Sequence, residues 1–121
     1  MLPVLVVDDN ADAADSLALV LTAWGCQPIV ARNGADALEA ARRHGPKLAL
    51  LDLKMAGMDG YALAQGLRAE LGPHLVLVAV TGLADETYRR RSREAGFALH
   101  LVKPIDLDQL RALLDRLGPP A

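Results

Sequence analysis

The chain has 121 residues, slightly more than half of them hydrophobic, a net charge of −2 and a single cysteine, Cys26. That length fits one domain, residues 1–121, with one apolar core. Without a basic excess it is a poor match for nucleic acid or an anionic membrane surface. One cysteine allows neither an internal disulfide nor a cysteine metal cage, and Cys26 reads as a small buried residue. No apolar stretch reaches the ~18 residues needed to span a bilayer, and no basic leader precedes the first apolar run, so the expected location is cytoplasmic.

Short apolar runs alternate with amphipathic stretches throughout. The first run, Val4-Leu-Val-Val, closes in Asp8-Asp9. Rich in branched residues and apolar at every position, it reads as a strand buried on both faces, as in a parallel sheet flanked by helices. A helix is expected from Ala11 to Trp24, capped by Asn10, with Leu17, Val20, Leu21 and Trp24 on its core face and Gly25 as its stop. A second strand covers Pro28–Ala31, and Asn33-Gly34 leads into a helix through Ala37, Leu38 and Ala41 that ends near His44-Gly45-Pro46. The third strand, Leu48-Ala-Leu-Leu-Asp52, repeats the pattern of the first. After it, Leu53 to Gly60 reads as a flexible turn, with Asp59 placed to cap a helix that buries Leu63, Leu67 and Leu71.

The fourth strand, Leu75–Val80, runs into Thr81-Gly82 and a helix through Tyr88 and Ala95 that Gly96 closes. The fifth, Ala98–Val102, runs into Lys103-Pro104. Asp106 with Gln109 three residues later makes a capping-box pattern for a last helix on Leu110, Leu113, Leu114 and Leu117, before Gly118-Pro119-Pro120 ends the domain. Five such βα units predict a three-layer αβα sandwich on a parallel sheet with right-handed crossovers.

Asp8, Asp9 and Asp52 all stand just past strands, at the edge where open α/β sheets bind ligands. Two like charges ~4 Å apart at an effective dielectric near 20 repel by about 4 kcal/mol, so the three acids call for a divalent cation. All-oxygen ligands suit Mg²⁺ or Mn²⁺, and a site with few carboxylates leaves positions for water and phosphate oxygens. The plainer reading makes Asp8 and Asp9 caps of the next helix, Thr81 an ordinary β-branched strand residue and Lys103 an ordinary strand-end lysine.

Taken together, Val-Val-Asp8-Asp9-Asn, Leu-Leu-Asp52-Leu-Lys-Met-Ala-Gly-Met-Asp59-Gly60, Val-Thr81-Gly82 and Leu-Val-Lys103-Pro104 agree in order and spacing with one family. Over essentially its full length the chain resembles the receiver domain of bacterial response regulators. The resemblance implies a five-stranded parallel sheet of order 2-1-3-4-5, the flavodoxin-like winding. It implies that Asp52 is the phosphoacceptor and a metal ligand, Asp9 a direct ligand, Asp8 a partner through or beside a bound water, and the Lys54 backbone carbonyl a further ligand. Lys103 would neutralise the phosphoryl oxygens and Thr81 donate its hydroxyl to them, which is nearly all that phosphoryl transfer asks of a protein. Pro104 would follow a cis peptide bond that aims the Lys103 ammonium inward. The domain would catalyse its own phosphorylation and slow self-dephosphorylation without being an enzyme in the ordinary sense.

Switching in receivers couples the threonine to a residue three before the lysine, here His100 where many have tyrosine or phenylalanine; an imidazole there makes the switch pH-sensitive. Ala56 stands where proline is frequent and should loosen its loop. Lys54 and Leu83 sit where receivers tune attack by water, and their bulk predicts slow self-dephosphorylation. The implied partner is a histidine kinase or a histidine phosphotransfer protein, with Ala11, Ala14 and Ala18 expected on the outer side of the first helix. Arg89, Arg90, Arg91 and Arg93 read as a solvated face open to an acidic partner. Asn10-Ala-Asp-Ala-Ala-Asp-Ser16-Leu and His100-Leu-Val-Lys-Pro-Ile-Asp106-Leu look most like receivers of hybrid sensor kinases. The competing classes are a haloacid-dehalogenase-type phosphohydrolase, which would carry its nucleophile on the first strand in an Asp-x-Asp pattern, and a receiver-like scaffold that takes no phosphate.

Overall fold

The computed structural model describes residues 2–55, 58–82, 90–91 and 93–117. In chain order the elements are β1 (Leu2–Val7), α1 (Ala11–Ala23), β2 (Cys26–Ala31), α2 (Gly34–His44), β3 (Leu48–Asp52), β4 (Lys54–Met55), β5 (Met58–Asp59), α3 (Gly60–Leu71), β6 (Val76–Thr81), β7 (Leu99–Val102) and α4 (Leu107–Arg116). One parallel sheet has the order β2-β1-β3-β6-β7. With the two-residue strands β4 and β5 set aside, this is the 2-1-3-4-5 winding that the resemblance implied. Among the described residues no helix is long and apolar enough to cross a membrane.

The apolar runs work because successive side chains of a strand point to opposite faces. Leu5, Val7, Ala49, Leu51, Leu77 and Ala79 enter one buried cluster with Ala37 and Ala41 of α2 and Leu63, Ala64 and Leu67 of α3. Their neighbours Val4, Val6, Leu48, Leu50, Val78, Val80 and Leu101 enter the other, with Ala14 and Leu21 of α1 and Leu110, Leu113 and Leu114 of α4. A strand that must serve two helix layers has no polar position to spare, so its sequence is apolar throughout.

Caps set where the helices begin. The Asn10 side chain accepts from the Ala13 amide (3.1 Å) and that of Asn33 from the Asp36 amide (2.8 Å). Asp59 accepts from Tyr61 N (2.9 Å), and Asp106 from Asp108 N (2.9 Å) and Gln109 N (3.4 Å). Each cap satisfies an amide that lacks an intrahelical partner. Gly45 ends α2 at φ +56, in the left-handed region that a side chain disfavours.

Three local expectations change. β2 begins at Cys26, two residues before the expected Pro28; it is an edge strand paired only with β1, where a missing amide costs no ladder bond. The turn after Asp52 contains the antiparallel β4–β5 pair, with Lys54 opposite Asp59 and Met55 opposite Met58. Ala14, expected on the outside of α1, is fully buried, while Ala11 and Ala18 are half-buried. Ala14 lies three residues before Leu17 and seven before Leu21, which puts it on their inward face. The helix expected after Gly82 falls largely outside the described residues, as do Ala56, Leu83 and Arg89; positions 90–91 and 93–94 are helical, and Gly96 follows at φ +93.

One side chain holds the far end of the sheet together. Arg68 of α3 donates through Nη1 to the carbonyls of Gly72 (3.4 Å), Pro73 (3.2 Å) and Leu75, and through Nη2 to that of Gly96 (3.1 Å). It thereby satisfies the chain entering β6 and the turn that leads to β7. Arg68→Met should lower the unfolding free energy by about 1–3 kcal/mol, because the stem keeps its packing while the carbonyls lose a charged donor. Urea denaturation checks this; an unchanged midpoint contradicts the clasp.

Candidate functional site

Parallel register brings four strand ends to one edge. Val7 is opposite Leu51, Asp52 opposite Val80, and Thr81 opposite Val102. Backbone bonds carry the ladder a step further: Asp8 N donates to Ala31 O (3.1 Å), Leu53 N to Val80 O (3.1 Å) and Lys103 N to Thr81 O (2.8 Å). Asp8, Asp52, Thr81 and Lys103 are therefore positioned by sheet geometry rather than by loops. Apolar neighbours on both faces make that frame stiff.

At this edge one oxygen from each of Asp8, Asp9 and Asp52 lies within 4.8 Å of the others. Asp8 and Asp52 are 6 % and 7 % exposed, while Asp9 faces solvent. The Lys103 ammonium donates to Asp8 Oδ2 and to Asp52 Oδ2, each at 3.1 Å, and Asp8 Oδ1 also accepts from Asn10 N at 2.9 Å. One ammonium thus stands between two nearly buried carboxylates, with a third beside them. The donor set fits a hard divalent cation. Opposite ligands of an octahedral Mg²⁺ stand ~4.2 Å apart, close to the observed spread, and exposed Asp9 leaves the remaining positions open to water.

Thr81 is fully buried at the end of β6. The Lys103–Pro104 peptide is cis. His100 lies half-buried on β7, opposite Ala79 and between Leu99 and Leu101, which face the α1–α4 side. A cavity of about 320 Å³ opens beside the acids, lined by Val6, Leu17, Val20, Leu50, Ile105 and Leu107, with Asp8, Asp52 and Lys103 at its polar end.

One contact went unforeseen in the sequence. Arg91, read as part of a solvated arginine face, reaches back to Asp59 (3.8 Å), and its guanidinium lies 4.1 Å from the centre of the Tyr61 ring. No periodicity announces a contact between segments so far apart in the chain.

Burial works to lower the Lys103 pKa, but hydrogen bonds and charge from Asp8 and Asp52 outweigh it and leave the pKa above the ordinary lysine value of 10.5. A group whose pKa rises on folding contributes stability that is complete below its unfolded value and lost as pH climbs through its folded value. Wild type should therefore lose stability above about pH 10.5 more steeply than Lys103→Gln. Urea midpoints of both proteins at neutral and strongly alkaline pH measure the difference; parallel profiles contradict it.

Comparison with known proteins agrees with this geometry. The response regulator receiver domain family matches residues 4–115. The chain is 33% identical over 113 residues to the transcriptional regulatory protein ZraR of Escherichia coli, covering 93% of this chain but 25% of that protein, so it spans about a quarter of that relative's length. It is 29% identical over 116 residues to sporulation initiation phosphotransferase F of Bacillus subtilis, covering 96% and 93% of the two chains. Among solved structures, a response regulator protein from Burkholderia pseudomallei with a phosphorylated aspartic acid, calcium ion and citrate superposes with a TM-score of 0.85 at 27% identity, over 93% of this chain and 65% of that one. The chain belongs to the response regulator receiver family, phospho-accepting signalling modules of two-component systems rather than classical enzymes.

Proposed function

We propose that Asp52 accepts a phosphoryl group from a phosphohistidine of a histidine kinase or a histidine phosphotransfer protein, and that Asp8, Asp9, Asp52 and the Lys54 carbonyl hold Mg²⁺, or Mn²⁺ in its place, for that transfer. The observation that carries this reading is the juxtaposition of three carboxylates and one ammonium on a stiff sheet edge. Receivers take phosphoryl groups from histidine donors, and the family fixes the partner's chemistry without naming the partner.

The chemistry follows from the groups present. A carboxylate oxygen of Asp52 attacks phosphorus. The bond to the donor imidazole nitrogen breaks, and that nitrogen keeps the electron pair. A donor ring protonated at its other nitrogen leaves as neutral imidazole, an unprotonated one leaves as imidazolate and takes a proton from water, and the product is an aspartyl phosphate. Lys103 is already 3.1 Å from Asp52 Oδ2, so a short movement of its flexible stem places the ammonium on the arriving phosphoryl oxygens. Thr81 supplies a hydroxyl from the adjoining strand end. Bound metal supplies charge neutralisation where the acids would otherwise repel the incoming anion.

The new phosphate then shifts the domain between two shapes through contacts that one shape makes and the other does not. Thr81 and His100 are the switching pair in this reading, joined through β6 and β7, where Thr81 is opposite Val102 and His100 opposite Ala79. Residues 1–121 form one receiver unit of cytoplasmic signalling, of the kind carried by hybrid sensor kinases. A haloacid-dehalogenase-type phosphohydrolase is set aside by the family match across residues 4–115.

Incubation with acetyl phosphate and Mg²⁺ should give a single phosphoryl adduct by intact mass. EDTA and Asp52→Ala should each abolish it; an adduct that survives Asp52→Ala contradicts the assignment. Lys54→Ala should shorten the adduct's lifetime, because a long side chain two residues past the acceptor obstructs water. A lifetime that Lys54→Ala leaves unchanged contradicts that role.

A further inference from the structure

Arg91 lies outside the acid cluster, yet its contacts reach the β4–β5 pair and the start of α3, which follow Asp52 in the chain. Its guanidinium pairs with Asp59 (3.8 Å) and covers the Tyr61 ring (4.1 Å). The Tyr61 ring in turn meets Phe97 edge-on, with centroids 6.2 Å apart and planes at 85°. Tyr61 and Phe97 are both buried, so the arginine, itself exposed, lies over the rim of the core. Asp59 Oδ1 caps α3 through Tyr61 N while its other oxygen, Oδ2, faces Arg91. The backbone of Asp59 is paired with Lys54 across the β4–β5 ladder.

The same corner is closed from beneath. A Cβ at Gly60 would stand 3.0 Å from Leu53 Cδ2 and 3.1 Å from Leu53 Cα. The start of α3 therefore lies close against Leu53, the residue just after Asp52. What the hairpin between them lacks is a long ladder, since a pair of two-residue strands is marginal by itself. Arg91 supplies the missing anchor from outside the hairpin.

We infer that Arg91 is a positioning residue for the metal site: by holding Asp59 and Tyr61 it fixes the Lys54–Asp59 hairpin so that the Lys54 carbonyl is presented to the cation. The inference rests on the proposed role of that carbonyl. It also makes the helical segment that carries Arg91 thermodynamically coupled to the cation, because whatever stabilises the hairpin for one stabilises it for the other. The chemistry recruited is ordinary. An exposed ion pair and a cation–π contact are each weak alone, and they act here on the same guanidinium.

The test is Mg²⁺ binding to the metal-free chain by isothermal titration calorimetry, with hydrogen exchange of the 54–59 amides read in EDTA. Arg91→Ala should weaken Mg²⁺ about threefold or more, the scale set by one such pair of contacts, and speed exchange in the hairpin. Arg91→Met keeps an apolar stem over Tyr61, guards against a misfolded alanine variant, and should weaken Mg²⁺ likewise. Arg91→Lys should restore most of the affinity, because it keeps a cation over Asp59 and Tyr61. Wild-type affinity in Arg91→Ala and Arg91→Met overturns the inference alone. A wild-type chain that binds no Mg²⁺ overturns the proposed metal site and this inference with it.

Discussion

Everything at the working edge of this domain depends on like charges being kept together. Asp8 and Asp52 are nearly buried, Asp9 stands beside them, and one ammonium is shared between the first two. At 4.8 Å each pair of ionised carboxylates repels by roughly 3–4 kcal/mol at an effective dielectric near 20. Relaxation of the chain would separate them if they sat on loops. Asp8 and Asp52 do not separate because they stand at the ends of buried parallel strands, where a movement of one residue disturbs a backbone ladder and two helix layers, and exposed Asp9 follows directly on Asp8.

That arrangement explains why the sheet is built as it is. Strands serving two helix layers hold their ends rigidly, and the stored repulsion becomes an affinity for cations. Lys103 relieves part of it by pairing with both Asp8 and Asp52. It also lies just past the strand that pairs with Thr81's, and its amide donates to the Thr81 carbonyl. Any change in the charge on Asp52 is therefore felt at Lys103 and Thr81 together, so two strand ends respond to one event.

Much of this was legible in the residues, for identifiable reasons. The runs Val4–Val7 and Leu48–Leu51 are apolar at every position because both faces are covered, and acids directly after such runs can only gather at one edge. Caps at Asn10, Asp59 and Asp106 were equally plain, since a side-chain acceptor before a periodic run has a defined job. The start of β2 was not, because Pro28 reads as a strand boundary unless the strand is known to be an edge. The β4–β5 pair was not, since two residues carry no periodicity. Ala14 misled because alanine is silent about burial. Arg91 is exposed, as its place in the arginine run suggested, but its partners Asp59 and Tyr61 come from another element altogether and left no signal near it in the chain.

The most direct test of the stored repulsion is the stability of the unphosphorylated chain as Mg²⁺ is added, followed by urea unfolding for wild type and Asp9→Asn. A cation that binds only the folded state stabilises it by RT ln(1 + [Mg²⁺]/Kd), about 2.7 kcal/mol at a hundredfold excess over Kd. Wild type should gain on that scale, and Asp9→Asn should lose most of the gain while being no less stable without metal. Stability indifferent to Mg²⁺ in the wild-type chain would contradict the account.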